Sequence, residues 1–386
     1  MGRERALIVG FSTRALAESV VAAGWDCSSI DAFGDLDQKA RVHNIALQRD
    51  LGRPFSAPAA AAAAVHITSP CVAYTGNLEN HPAAVQRLGL GRELLGNLAS
   101  ALLRSRDFRE LRRVVRRAGG CLPRTYFPGD PQPKLAGTDF LAKPIRGGGG
   151  QGIRKLRSVD RVSDRELVQE CIDGTLGSVS FLADGRRALI LGVARGMAGE
   201  AAFGATGFRY CGSLFPLTVG ARTLERLEAI VQSAARAFGL VGLNGIDFVL
   251  RNDQPFVLEL NPRFSASMEL IQRAGVKDLF ALHAAACRGS LPSSLPRLAP
   301  GVLGKAVVWA RRNVVAPETR SWLEGDDIRD IPFPGERIRG RTPVCTVLGQ
   351  GPDDRACQAA LAATAGSVER ALLPDRETVR ACAAVR

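Results

Sequence analysis

Three features of this 386-residue sequence predict a mixed α/β and α+β protein, with an N-terminal doubly wound α/β domain, a central core and a small C-terminal β-rich domain. The chain opens with the apolar run Ala6-Leu7-Ile8-Val9, a helical pattern over Ala15–Ala23 and a second strand pattern at Asp26–Ile30, which is the β-α-β start of a parallel sheet. From about Gly120 the pattern changes to strands with glycine-rich turns. The clearest of these are two apolar runs, Gly245–Leu250 and Pro255–Asn261, which flank the turn Arg251–Gln254 as a hairpin. The proline-rich segment Leu291–Pro300 then opens a unit of short strands. These breaks divide the chain into residues 1–105, 106–290 and 291–386.

Taken in order, Gly10-Phe11-Ser12-Thr13-Arg14 turns the first strand into its helix. Gly10 stands alone where a dinucleotide fingerprint needs three glycines, so no such cofactor is expected there. Val65–Tyr74 reads as a further strand. It leads into the loop Thr75–His81, at the kind of strand end where open sheets touch substrate. Arg104–Arg117 reads as one amphipathic helix ending at Gly119-Gly120. Arg109, Arg112, Arg113 and Arg116 share one face of it, and Phe108, Leu111, Val114, Val115 and Ala118 share the other. Phe140–Ile145 and Ile153–Val159 read as strands around a glycine turn, and Leu167–Gly174 as a strand ending in a turn. Gly304–Ala310 and Pro343–Leu348 are strands of the last part, closed by a helix over Asp353–Val368.

Composition narrows the function classes. With 46% hydrophobic and 23% charged residues the chain can bury a large core, so extended disorder is not expected. No window approaches the roughly 18 apolar residues of a membrane span, and Ala57–Val65 is too short to be one. The N-terminus runs directly into a strand, which argues against a secretory signal. Nine cysteines without a C-x-x-C pair argue against disulfides or a zinc ribbon, and for a reducing cytoplasm. The net charge of +13 raises nucleic acid as a partner. The densest arginine cluster, however, fits a solvated helix face, and three Trp and three Tyr offer few stacking platforms, so nucleic acid is disfavoured. A homo-oligomer remains open.

Three segments carry chemistry. In Phe140-Leu141-Ala142-Lys143-Pro144-Ile145 alternation puts Leu141, Lys143 and Ile145 on one face of a strand. Gly147, Gly148, Gly149, Gly150, Gln151 and Gly152 follow. Glycine backbone can approach phosphate oxygens and aim N–H groups at them, and Lys143 supplies a point charge for the same phosphates. Neither a Walker A loop nor a protein-kinase loop fits, since the first needs Gly-Lys-Ser/Thr and the second has its lysine after the glycines. In the second segment, Gln169, Glu170, Cys171, Ile172 and Asp173 lie on a strand that can present backbone groups to an adenine edge. The third is the hairpin. With its turn centred on Asp253, Asp247 lies opposite Glu259, and Asn261 follows on the same face. Two adjacent carboxylates repel unless a cation sits between them, and three oxygen donors suit Mg²⁺, with Mn²⁺ an alternative. Arg263 can grip a carboxylate or phosphate bidentately.

In the motifs LAKPIRGGGGQGI, LVQECIDG, NGIDFVL and VLELNPRFSASME, in that order, the sequence resembles the ATP-grasp superfamily. The resemblance covers residues 106–290 in detail. It extends more loosely to the N-terminal domain, and the tail is similar to the C-terminal part of biotin carboxylase-related ligases. It implies ATP and two Mg²⁺ ions as cofactors, with Lys143 and the glycine loop on the phosphates, Glu170 and Ile172 on adenine, and Asp173 on the ribose. Asp247, Glu259 and Asn261 are then the metal ligands. It further implies an ATP-dependent carboxylate–amine (or thiol) ligase working through an acyl phosphate, with Arg195 and Arg263 meeting the carboxylate or the acyl phosphate. Relatives point toward one-carbon cofactor synthesis of the methanofuran or tetrahydromethanopterin type. A carboxylase-like enzyme using carboxyphosphate, and a non-catalytic nucleotide- or nucleic-acid-binding protein, are the alternatives. One departure stands out: the helix where such proteins carry another nucleotide-binding lysine has none, leaving Arg106, Arg109 or Arg113 to replace it.

Overall fold

The computed structural model describes residues 3–131, 133, 139–157 and 162–373. Five parallel strands form the first sheet, in the order His43–Ala46, Asp26–Asp31, Arg5–Val9, Cys71–Tyr74 and Glu93–Leu95. Ala6 and Ile8 pack on one face with Leu16 and Val20 of the helix Arg14–Ala22. Leu7 and Val9 pack on the other, against the alanine-rich helix Ala57–Ala63. All four strand residues are fully buried, as a doubly wound sheet requires. The winding reverses between Arg5–Val9 and Cys71–Tyr74, so the crevice beyond their C-terminal ends is the switch point of the sheet.

Two expectations for this part change. Of Val65–Tyr74 only Cys71–Tyr74 is strand. Ser56 caps the alanine helix by accepting from Ala59 N–H, and that helix runs on into a 3₁₀ turn at Ala64–His66. The arginine-rich helix is two helices, Ala99–Ser105 and Phe108–Arg117. Asp107 separates them, its carboxylate accepting from Arg109 N–H at 2.8 Å and Glu110 N–H at 3.4 Å. The expected apolar face of the second helix is the buried one, through Leu111, Val114 and Val115.

An eight-stranded antiparallel sheet runs Gln254–Asn261, Val241–Arg251, Thr175–Asp184, Ala188–Ala198, Tyr210–Phe215, Val302–Trp309, Pro343–Gly351 and Ile328–Arg329. It is continuous across residue 291, because Val302–Trp309 pairs directly with Tyr210–Phe215. A smaller sheet, ordered Thr125–Tyr126, Glu166–Glu170, Phe140–Pro144 and Arg154–Lys155, stands over it. The expected strand Ile153–Val159 is thus two residues long within the described chain, and its end at Ser158-Val159 lies outside the described residues.

The three parts meet on a buried ion cluster. Arg14, at the start of the first helix, is 1% exposed and donates to Glu269, to Glu18 at 3.1 Å and to Asp330 at 2.9 Å. Lys305 bonds the same Glu269 from the strand Val302–Trp309. Burial pushes the Glu269 carboxyl up, but Arg14 and Lys305 outweigh this and hold it well below the usual carboxylate range. Removing one member leaves its partners as uncompensated buried charge, which costs roughly 3–5 kcal/mol. Arg14→Met is expected to lower the unfolding free energy by about that much, read as a shift in denaturant midpoint at constant slope.

Candidate active site

The hairpin brings Asp247 opposite Glu259 and Gly245 opposite Asn261. It does so by two departures that cancel. The turn is the two-residue Asn252-Asp253, both at positive φ (51° and 58°), so Arg251 pairs with Gln254 one residue out of the expected register. A bulge beside Leu258 then restores the register between Phe248 and Asp247. Asn261 Nδ2 donates to Asp247 Oδ2 at 2.8 Å, fixing the third donor beside the first. The hairpin's other face is apolar, with Ile246, Phe248, Val257 and Leu260 in the core against the helices Phe108–Arg117 and Ala221–Phe238.

Cations converge on this acidic pair. Lys143 Nζ stands 3.9 Å from Glu259 Oε2, reaching across from the smaller sheet. Arg106 Nη1 lies 3.6 Å from the same oxygen and donates to Leu260 O at 3.1 Å. Arg109 instead meets Asp130 and stacks on Phe127, and Arg113 meets Glu110, so of the three arginines Arg106 is the one placed beside Glu259. Arg263 Nη2 reaches Asn261 Oδ1 at 3.3 Å, while its Nε donates to Glu79 Oε1 at 2.9 Å. Glu79 is 2% exposed and comes from the loop after Cys71–Tyr74 in the first sheet. The sequence reading picked out that loop but not this residue.

Electrostatics separates the two carboxylates. Burial, with the neighbouring Glu259 charge, raises Asp247 to about 6, although Asn261 and Arg263 oppose the shift. Burial pushes Glu259 up too, but Lys143, Arg106 and Arg263 outweigh it and hold Glu259 below its ordinary value. A half-buried carboxylate whose ionisation is penalised by its neighbour is one that a cation would satisfy. The donor set, two carboxylates and an amide oxygen, fits Mg²⁺, which takes few protein ligands and completes its shell with water and phosphate. No group of three His, Cys, Asp or Glu side chains that could hold a metal ion occurs among the described residues, so any cation here would draw on the amide oxygen, water and phosphate beside the two carboxylates. The sign of the pH dependence follows. Between its ordinary value of 3.8 and about 6, Asp247 is protonated in the fold, so a cation must displace a proton there. Mg²⁺-induced stabilisation, measured as a rise in Tm, is expected at pH 7.5 and is expected to fade below pH 6, with affinity dropping up to about tenfold per pH unit.

The remaining candidates divide. The strand Glu166–Glu170 presents Gln169 to Thr125 and Glu170 to Arg124, whose Nε donates to Glu170 Oε2 at 3.1 Å. Cys171 N–H donates to Asp139 O at 2.9 Å, Ile172 is buried, and Asp173 follows in the exposed turn. The glycine loop is anchored rather than free, since Gly149 O accepts from Tyr210 N–H at 3.0 Å. At Gly150 a Cβ would overlap Phe208 O at 1.8 Å, so only glycine permits the loop to close on that strand. Arg195 is not brought to the site. Gly177 pairs with both Arg195 and Phe248, while Ser178 pairs with Asp247, so Arg195 projects from the opposite face of the sheet. There its Nη1 is 3.1 Å from Asp354 Oδ2.

Residues 109–267 match the family model described as an ATP-grasp domain. Over that segment the chain is similar to ATP-grasp domains. The carbamoyl phosphate synthase large chain of Deinococcus radiodurans is 28% identical over 152 residues, which is 36% of this chain and 15% of that relative. The biotin carboxylase of Campylobacter jejuni, solved as a β,γ-ATP complex, matches with a TM-score of 0.67 at 15% identity over 93% of this chain and 90% of its own. Phosphoribosylamine–glycine ligase of Thermotoga maritima gives 0.67 at 15% identity, over 94% and 96%. These structures share the fold. The matched segment contains the smaller sheet and the whole Asp247–Asn261 hairpin, while Arg106 and Glu79 reach it from outside. No helix among the described residues is long and apolar enough to cross a membrane.

Proposed function

We propose that the chain is an ATP-dependent ligase that activates a carboxylate as an acyl phosphate and joins it to an amine. The observation that carries this reading is the cation-ringed pair Asp247–Glu259 with Asn261, set on an ATP-grasp domain beneath the Lys143 strand and its glycine loop. ATP and Mg²⁺ are the cofactors of the reading, and Asp247, Glu259 and Asn261 would hold the metal. Bound there, Mg²⁺ supplies charge neutralisation for the triphosphate.

The chain's own groups then have defined work. The loop Gly147–Gly152 and Lys143 hold the phosphates, and the backbone around Glu170 and Ile172 receives adenine beside Asp173. A carboxylate oxygen of the first substrate attacks the γ-phosphorus as the bond to the ADP oxygen breaks, leaving ADP and the acyl phosphate. Arg263 orients that carboxylate, and Arg106 and Lys143 offset the charge that builds on the transferring group. The amine nitrogen next attacks the acyl carbon, inorganic phosphate leaves with the bonding electrons, and the amine gives up a proton. Positioning and fixed charge do most of this work, in keeping with a cluster of carboxylates, lysine and arginines. C–N ligation in one-carbon cofactor synthesis is the narrower form of the proposal and rests on the motif resemblance alone.

The test is ADP release against panels of carboxylates, bicarbonate included, and amines, with mass spectrometry of the products. Release that requires both a carboxylate and an amine supports the ligase. Release with bicarbonate and no amine favours the carboxyphosphate reading, and no ADP release with any pair contradicts both.

A further inference from the structure

The strand Thr175–Asp184 joins two distant places in the molecule. Ser178 on it pairs with Asp247 in the acidic site, whereas Asp184 ends it about 20 Å further on. The turn that follows faces a hollow of about 770 Å³ bordered by Arg186, Arg187 and Arg236. Arg236 also borders an adjoining hollow of about 450 Å³, together with Arg117, Gln232 and Ser233. Four exposed arginines from three elements thus converge: the turn, the helix Phe108–Arg117 and the helix Ala221–Phe238. Hydrogen bonds fix the platform they stand on. Arg186 O accepts from Gln232 Nε2 at 2.7 Å and from Arg236 Nε at 3.3 Å, which ties the turn to the helix. Among the described residues Asp184 is the one carboxylate bordering either hollow, and both its oxygens are engaged. Its Oδ1 accepts from the N–H groups of Arg186 and Arg187, and its Oδ2 from Arg187 Nε and Nη2 at 3.0 and 2.8 Å. Arg117, Arg186 and Arg236 have no carboxylate partner among the described residues. The dipoles of two helix C-termini offset only part of this charge, since Arg117 and Arg236 stand in the last turns.

We propose that this depression is a binding site for a small polyphosphate anion, separate from the nucleotide site beside Lys143. Like charges gathered without carboxylates repel, and an anion bearing several charges relieves that repulsion. Guanidinium forks match phosphate oxygens in pairs, and a chain of phosphates meets several arginines at once where a lone carboxylate meets one. The patch is bounded. Along the helix of Arg117, Arg109 and Arg113 are taken up by Asp130 and Glu110, so no continuous cationic track runs on for a polynucleotide. No aromatic residue borders either hollow among the described residues, so a base finds no ring to stack on. No group of the acidic site takes part, so the inference does not depend on the ligase reading.

The test is isothermal titration calorimetry of the full chain with sodium tripolyphosphate, in about 0.15 M salt and without nucleotide. Tripolyphosphate should bind wild type and Lys143→Ala with the same affinity, and orthophosphate should bind at least about tenfold more weakly. Arg186→Ala and Arg236→Ala should each weaken tripolyphosphate on the order of tenfold, with unchanged melting curves because both side chains are exposed. Arg186→Lys should recover part of the loss. Tripolyphosphate binding that is unchanged in both alanine variants, or lost in Lys143→Ala, would place the anion elsewhere and overturn the inference. Absence of binding by wild type at that salt concentration would overturn it too. A single-stranded oligonucleotide that binds more tightly than tripolyphosphate, with the same dependence on Arg186 and Arg236, would reassign the patch to nucleic acid and overturn the small-anion site as well.

Discussion

Glu259→Gln is expected to lose turnover by on the order of a thousandfold while folding normally. The substitution keeps the shape of the side chain and removes one charge from a place where Lys143, Arg106 and Arg263 converge. The variant should not unfold, because the carboxylates repel: without Glu259 the ionisation of Asp247 is eased and its pKa should fall from about 6. Three cations would be left facing Asp247 alone, and a divalent ion would find one carboxylate where two are needed. The loss should therefore appear in Mg²⁺ dependence and kcat together, with the protein still folded and its melting temperature somewhat lowered, because the depressed pKa of Glu259 reflects a net attraction to those cations. Normal Mg²⁺-dependent turnover in this variant would remove the pair from the site. Steady-state kinetics across a Mg²⁺ titration, beside a thermal melt, measures both.

Lys143→Ala carries the second largest effect. Its ammonium lies on the face of Phe140–Pro144 that looks toward Glu259, 3.9 Å from that carboxylate and mostly shielded from solvent. A fixed charge aimed at a transferring phosphoryl group typically contributes about 2–4 kcal/mol to the transition state, so kcat/KM for ATP should fall by roughly a hundredfold or more. Lys143→Arg should recover only part of this, because a planar fork does not replace a compact ammonium. A second consequence distinguishes this residue from a structural one: without Lys143, Glu259 loses the largest of the cations that hold its pKa down and should titrate higher. Unchanged ATP kinetics in the alanine variant would exclude Lys143 from phosphate contact.

Much of the fold and of the acidic pair was legible in the sequence because both rest on local pattern. Continuous apolar runs announce buried parallel strands, and two-residue periodicity on either side of a tight turn sets Asp247 against Glu259. That register came out right for an incomplete reason, since a shorter turn and a bulge at Leu258 offset each other and neither leaves a reliable mark in a single sequence. The break at Asp107 did leave one: Asp107 followed by Glu110 is the spacing of a helix cap, masked by the arginine periodicity around it. Arg195 shows the opposite limit. Its face of the sheet is decided by pairing across three strands, from Asp247 and Phe248 through Ser178 and Gly177, and one strand's alternation does not contain that information. Glu79 reaches Arg263 from 184 residues away, so only the packing of the parallel sheet against the hairpin could reveal it, and the same long-range packing singles out Arg106 from the three arginines that the sequence offered.

The ligase account depends most directly on a covalent link between the substrate carboxylate and the γ-phosphoryl group. With a carboxylate substrate labelled with ¹⁸O in both oxygens, the oxygen that attacks phosphorus leaves with it when the amine displaces phosphate. Mass spectrometry of the inorganic phosphate should then find one ¹⁸O atom per phosphate, transferred only when the amine is present to complete the turnover. Phosphate that carries no label from the carboxylate, and takes its fourth oxygen from labelled water instead, would mean that ATP is simply hydrolysed, and would contradict the acyl-phosphate mechanism.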